Sequence, residues 1–266
     1  MQSNLVQYTA VVMAGNRGKQ DPLAVRADVS HKCLVEVVGT PMLIRVLETL
    51  EAASEIKRIV LCVEHTFESI AAIDERIARG SLVRLDAANS PASSALKACD
   101  ELDGDFPLLI VTADHPLLST EMITHFCTYA THSDVAVGLA DADLVLRKYH
   151  NATRTLLKFS DGARCGCNLF ALNNPRARDA AMFWRTLEAE RKRPWKMIKM
   201  LGPWSLIRYL CGRLSLSVTL AMLSEKLNIE AQAVDMPFAE AAIDVDKPAD
   251  LELVETIIDA QERPRA

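Results

Sequence analysis

Short apolar runs rich in β-branched residues alternate along this chain with longer segments whose apolar positions recur at helical spacing. The first run, residues 9–13, is followed by Met42, Leu43, Val46, Leu47 and Leu50 on one helical face, with Pro41 placed in the first turn, where a missing N–H costs nothing. Residues 57–63 form a second run, and 67–79 read as a helix that closes before Gly80. A short strand at 82–85 leads to a helix over 92–102, its start marked by Ser90-Pro91. Further strands are predicted at 106–111, 134–139 and 231–236, and a closing helix carries Leu251, Val254 and Ile258 on one face. Runs without polar alternation belong to strands buried on both sides. The strand, helix, strand rhythm predicts a three-layer, Rossmann-like α/β fold with a mostly parallel sheet.

At 266 residues, half of them hydrophobic, the chain suits one domain over 1–266, with 175–230 as a helical insert or cap opened by Asn174-Pro175. A net charge of −5 argues against general nucleic-acid binding. Met1-Gln2-Ser3-Asn4-Leu5 lacks a basic region and an apolar stretch of the secretory kind, so a cytoplasmic location is expected. The seven cysteines show no C-x-x-C spacing and read as reduced thiols. Cys165 and Cys167 share one face of a strand and are read as packing residues.

Two stretches carry chemistry. After the first strand come Ala14, Gly15, Asn16, Arg17, Gly18 and Lys19, a loop whose glycines admit close ligand approach and whose cations balance negative charge, as a polyphosphate cradle requires. It is neither the dinucleotide fingerprint nor a P-loop. The run at 106–111 leads to Asp114, where α/β folds place ligands, beyond the carboxyl ends of strands. A carboxylate there either holds Mg²⁺ or caps the turn before Pro116. His115 is given no role.

Ala14-Gly15, Arg17, Lys32 and Gly39-Thr40-Pro41-Met42, in that order, resemble the signature of the nucleotidyltransferase superfamily, whose MobA-like members include molybdenum-cofactor guanylyltransferases. Sugar-phosphate nucleotidyltransferases and cytidylyltransferases of lipid and isoprenoid precursors share it. An insertion at 20–30 lengthens the gap before Lys32. The resemblance implies the nucleotide-diphospho-sugar transferase type of fold. It implies transfer of an NMP group from an NTP to a phosphorylated small-molecule acceptor, with Mg²⁺ as cofactor and pyrophosphate released. Gly15 amides would grip phosphates while Arg17 and Lys32 offset the charge of the leaving group. Asp114 matches the superfamily's metal-binding Asp-x-Pro. Asp246-Lys247-Pro248-Ala249-Asp250-Leu251 matches its C-terminal motif, which makes Asp246 the better second metal ligand and Asp244 the next. Asp250 is explained by the helix dipole alone. Ser93 and Ser94 fall where relatives meet base and ribose, and serve equally as helix N-terminal residues. Residues 149–170 resemble the acceptor side, where Arg154, Lys158 and Asn168 would bind the acceptor phosphate and head group; for Arg154 and Lys158 a solvated hairpin is the equal alternative.

A glycosyltransferase using an NDP-sugar would need Asp141 or Asp143, which read as a solvated loop, and a non-catalytic nucleotide-binding module would dispense with the charged residues. From 185 to 213, eight basic residues face only Glu188 and Glu190, with Trp195, Trp204 and Tyr209 interleaved and Trp184 adjacent. That composition fits a cap over the acceptor, a peripheral membrane contact or a partner surface. Oligomeric state is left open.

Overall fold

A computed structural model describes residues 6–16, 21–189, 202, 205, 207–208 and 211–262. The chain runs β1 (Tyr8–Met13), α1 (Pro22–Arg26), β2 (Glu36–Val37), β3 (Thr40–Pro41), α2 (Met42–Ala52), β4 (Ile56–Val63), α3 (Ala71–Ala78) and β5 (Leu82–Asp86). It continues with α4 (Pro91–Glu101), β6 (Leu108–Thr112), α5 (Thr120–Ala130), β7 (Val135–Asp141), α6 (Ala142–Lys148), β8 (Leu156–Phe159) and β9 (Gly162–Leu172). The last elements are α7 (Ala177–Ala189), α8 (Leu216–Leu227), β10 (Ala231–Met236) and α9 (Pro248–Glu262).

The main sheet has eight strands in the order β10-β7-β9-β6-β1-β4-β5, with β8 paired to β9. Every pairing is parallel except those made by β9, which enters antiparallel between β6 and β7. The apolar runs divide by alternation. Ala10, Val12, Ile59, Leu61, Leu109 and Val111 face one core, under α2, α5 and α9. Val11, Val60, Leu108 and Ile110 face the other, closed by Leu96 and Cys99 of α4 and by Ala177 and Ala181 of α7. Each such aliphatic side chain contributes about 1.5–3 kcal/mol on burial, so the layers hold through summed packing. The three-layer, mostly parallel reading is thus observed.

Local details depart from the sequence reading. Pro41 precedes α2, at its N-cap, because the Gly39-Thr40-Pro41 stretch folds back as the small hairpin β2–β3. Val38 and Gly39 form its turn with φ of 48° and 70°. Phe67 lies four residues ahead of α3, in a turn where its amide donates to the Glu64 carbonyl at 3.0 Å. Asp141 and Asp143 are not a solvated loop: Asp141 ends β7 and caps α6, its Oδ1 accepting from the amides of Asp143 and Leu144. Cys165 and Cys167 are both buried in one core.

Within 175–230, α7 lies beside α4, with Trp184 stacked on Phe170 at 5.1 Å, and α8 packs near β10. Trp195, Trp204, Tyr209 and the basic residues 191–199 lie outside the described residues. Among the described residues no helix is long and apolar enough to cross a membrane.

Candidate nucleotide and metal site

Because β1, β4, β5 and β6 run parallel, their carboxyl ends open together, and the loops that follow them line one cleft of about 450 Å³. Its walls include Ala14, Gly15 and Asn16 after β1, Glu64 after β4, Ala87 to Ser90 after β5, and Asp114 after β6, with Lys32 and Asp246 closing one end. A larger hollow of about 560 Å³, between α2, residues 116–119 and α9, holds no such convergence of buried charge. The chemistry sits in the smaller one.

The β1 loop is fixed at both ends. Ala14 N–H donates to the Cys62 carbonyl at 2.9 Å, and the Asn16 amide donates to the Ser30 carbonyl at 3.1 Å. That bond ties the start of the 20–30 insertion to its end. The insertion itself folds as α1, capped by Asp21 Oδ1 accepting from Leu23 N–H, and brings Asp21 and Pro22 to the cleft. Gly15 is held by a neighbour rather than by a left-handed backbone: a Cβ there would meet Glu64 Oε1 at 2.9 Å. Arg17, Gly18 and Lys19 lie outside the described residues.

Of the two serines, Ser94 is buried on the cleft wall, its Oγ accepting from Ala88 N–H at 2.9 Å, so it braces the loop after β5. Ser93 is not among the lining residues; its amide donates to Ser90 Oγ, the α4 cap. Asn89 and Ser90, of the segment in which the sequence reading singled out Ser93 and Ser94, line the cleft, and so does Glu64, which that reading passed over. Glu64 carried the same signal as Asp114, a charged residue just beyond an apolar strand.

At the other end Lys32 Nζ donates to Asp114 Oδ2 at 2.6 Å and to Asp246 Oδ1 at 2.7 Å. Burial opposes its charge, but the two carboxylates more than offset that and hold the ammonium above its ordinary range. Burial likewise opposes ionisation of Asp114, and Lys32 overcomes it, keeping this carboxyl below its usual range. Oxygens of Asp114, Asp244 and Asp246 all lie within 4.8 Å of one another. Asp244 is pushed up to about 6 by burial and then by its two acidic neighbours, despite Arg154 and Asn168. Arg154 pairs with Asp244 and with Asp250 Oδ1 at 3.1 Å, and Asn168 Nδ2 donates to Asp244 Oδ2 at 3.0 Å. Asn168 reaches it from an irregularity in β9: between the pairs Val137↔Phe170 and Leu139↔Gly166 it takes φ 52°, which asparagine tolerates. Lys158 is exposed on β8, outside the cleft lining.

Asp250 does more than favour the helix dipole. Its Oδ2 accepts from the amides of Asp246 and Lys247, while Val245 N–H donates to the Asp114 carbonyl at 2.9 Å. The C-terminal motif is thereby docked on the end of β6. Asp114 Oδ1 is buried with no hydrogen-bond partner among the described residues. An orphaned carboxylate oxygen beside two further carboxylates is a donor set of hard oxygens, which fits Mg²⁺.

A structure described as a hypothetical transferase from Thermus thermophilus is 27% identical, with a TM-score of 0.77, covering 92% of this chain and all of that one. A 4-diphosphocytidyl-2C-methyl-D-erythritol synthase from Anaerococcus prevotii is 13% identical, TM-score 0.54, covering 96% of each chain. A CMP:2-keto-3-deoxy-manno-octonic acid synthetase complexed with CTP is 12% identical, TM-score 0.53, covering 96% of this chain and 99% of that one. The last two share the fold. No curated protein matches the sequence. The family model for the MobA-like NTP transferase domain matches residues 10–175, more than half of the chain, and the protein belongs to that family.

Proposed function

We propose that the protein is a Mg²⁺-dependent nucleotidyltransferase that joins an NMP group from an NTP to a phosphorylated small molecule and releases pyrophosphate. The observation that carries this reading is the convergence of Asp114, Asp244 and Asp246 around Lys32 at the end of the cleft. Nucleotidyl transfer needs little acid or base chemistry; it needs charge neutralisation and alignment at phosphorus. Bound at Asp114, Asp244 and Asp246, Mg²⁺ would supply Lewis-acid stabilisation of phosphate oxygens.

The chain's own residues do the rest. The Gly15 and Asn16 backbone lines the phosphate end of the cleft, with Ala14 and Ser94 as its floor. Lys32, protonated and held beside the carboxylates, balances charge on the phosphates, and Arg17 does so for the departing pyrophosphate. Arg154 and Asn168 fix Asp244, and with Lys158 they mark the side from which the acceptor enters. Ser93 acts behind the wall, through the α4 cap. For a glycosyltransferase Asp141 or Asp143 would have to hold metal, but Asp141 is spent on capping α6 and pairs with Arg164 at 3.2 Å.

The test is pyrophosphate release from the four NTPs with Mg²⁺ and a deproteinised extract of phosphorylated metabolites. The expected result is release that needs both Mg²⁺ and extract and is lost in Asp114→Ala. Release undiminished in that variant would overturn the metal assignment.

A further inference from the structure

Two contacts join the end of β6 to the segment that leads into α9. One is the bond from Val245 N–H to the Asp114 carbonyl at 2.9 Å. The other comes from His115, the neighbour of Asp114, which the sequence reading leaves without a role. His115 is 2% exposed, and its Nε2 lies 3.1 Å from the Glu240 carbonyl oxygen. A carbonyl only accepts, so Nε2 carries the hydrogen and donates it. The same carbonyl accepts from Ile243 N–H at 3.0 Å, closing the single turn Ala239–Ala242 just ahead of the carboxylates. The chain then extends: Ile243 and Val245 are buried in the core, and alternation turns Asp244 and Asp246 toward Asp114. Glu240 is itself anchored. Its Oε1 accepts from Lys148 Nζ at 2.5 Å and from the Tyr149 hydroxyl, both at the carboxyl end of α6. Burial opposes ionisation of this carboxyl, and the two donors overcome it, keeping it below its usual range.

We propose that His115 and Glu240 form a strut that sets the spacing of the three carboxylates, with His115 as a positioning residue for the metal they would hold. The inference rests on the nucleotidyltransferase reading and deepens it. The Val245 contact alone would let the 239–246 segment swing about Asp114. A second contact, from the very next residue, removes that freedom. Carboxylates this close repel one another, so a segment free to swing would let them part. Held by both contacts, their oxygens stay within 4.8 Å of one another, close enough to share one small ion. The strut reaches no ligand and acts only through the backbone that carries Asp114, Asp244 and Asp246.

The experiment is a titration with Mn²⁺, a stand-in for Mg²⁺ whose free ion is counted by electron paramagnetic resonance, of the wild-type chain, His115→Leu, His115→Gln and Tyr149→Phe. Leucine fills the buried position without a donor, whereas glutamine brings an amide N–H to where Nε2 stands. The expected result is Mn²⁺ binding about tenfold weaker in His115→Leu and restored to within about threefold of the wild type in His115→Gln. Tyr149→Phe, which keeps the ring and takes one donor from Glu240, should weaken Mn²⁺ binding in the same direction. Circular dichroism checks the fold of each variant, and Tyr149→Phe carries the test if His115→Leu does not fold. Wild-type affinity in His115→Leu or in Tyr149→Phe, or a His115→Gln no better than His115→Leu, overturns this inference alone. A wild type that binds no Mn²⁺ removes the metal assignment of the proposed function, and this inference with it.

Discussion

Lys32 shows how one side chain sets the state of the whole carboxylate group. It lies between Asp114 and Asp246 and supplies the positive charge that lets them face each other. Removing it leaves acids with repulsion in place of pairing. Lys32→Met is therefore expected to lower stability by about 2–3 kcal/mol, less than for a fully buried pair because Asp246 is largely solvated, and added Mg²⁺ should restore most of the loss. Urea unfolding with and without Mg²⁺ checks this; an unchanged midpoint would contradict it. Asp244 adds a pH signature. Its folded pKa, near 6, lies above the unfolded value, so its contribution is full below about pH 4 and is lost as pH rises through 6. Mg²⁺ needs the ionised form, so the rise in Tm on adding Mg²⁺ should grow between about pH 5 and pH 7. A pH-independent increment would remove Asp244 from the ligand set.

At the scale of elements, the β2–β3 hairpin holds a β-branched residue, Val38, at φ 48°, a region that favours Asn and Gly in two-residue turns. Val38→Asn should stabilise the chain by about 0.5–1 kcal/mol, read as a higher midpoint in urea. No gain would show that the valine's packing outweighs its strain. This hairpin also explains why the helix after Pro41 was legible while its first residue was not. The apolar face of α2 is a periodic pattern in the sequence, but the backbone of Gly39-Thr40-Pro41 is set by pairing with Glu36 and Val37. Asp141 and Asp143 teach the same lesson: the triplet resembles a metal motif in isolation, and only the helix that follows reveals a cap. Glu64 was legible by the rule that found Asp114, a charge at the end of a buried strand, but without the strand order nothing placed it opposite the β1 loop.

Across the whole molecule, strands were readable because both faces of the sheet are buried, which makes their apolar runs continuous. The sheet order was not, since β9 enters between β6 and β7 through pairings between segments some sixty and thirty residues apart in sequence. That insertion is what carries Asn168 to Asp244, while Arg154, two residues before β8, pairs with Asp244 and Asp250. The site thus draws on residues from Gly15 to Asp250, and a ligand bridging them should stabilise the chain as a unit. At a hundred times its dissociation constant such a ligand contributes about 2.7 kcal/mol, roughly 5–11 °C in Tm at about 2–4 °C per kcal/mol for a domain of this order of size or slightly smaller.

Thermal unfolding of the wild type and Asp114→Ala, with each nucleoside triphosphate in the presence and absence of Mg²⁺, tests the central claim most directly. The account predicts that one triphosphate raises the wild-type Tm only when Mg²⁺ is present and that Asp114→Ala loses the increment. Equal stabilisation of both proteins, or stabilisation indifferent to Mg²⁺, would contradict it.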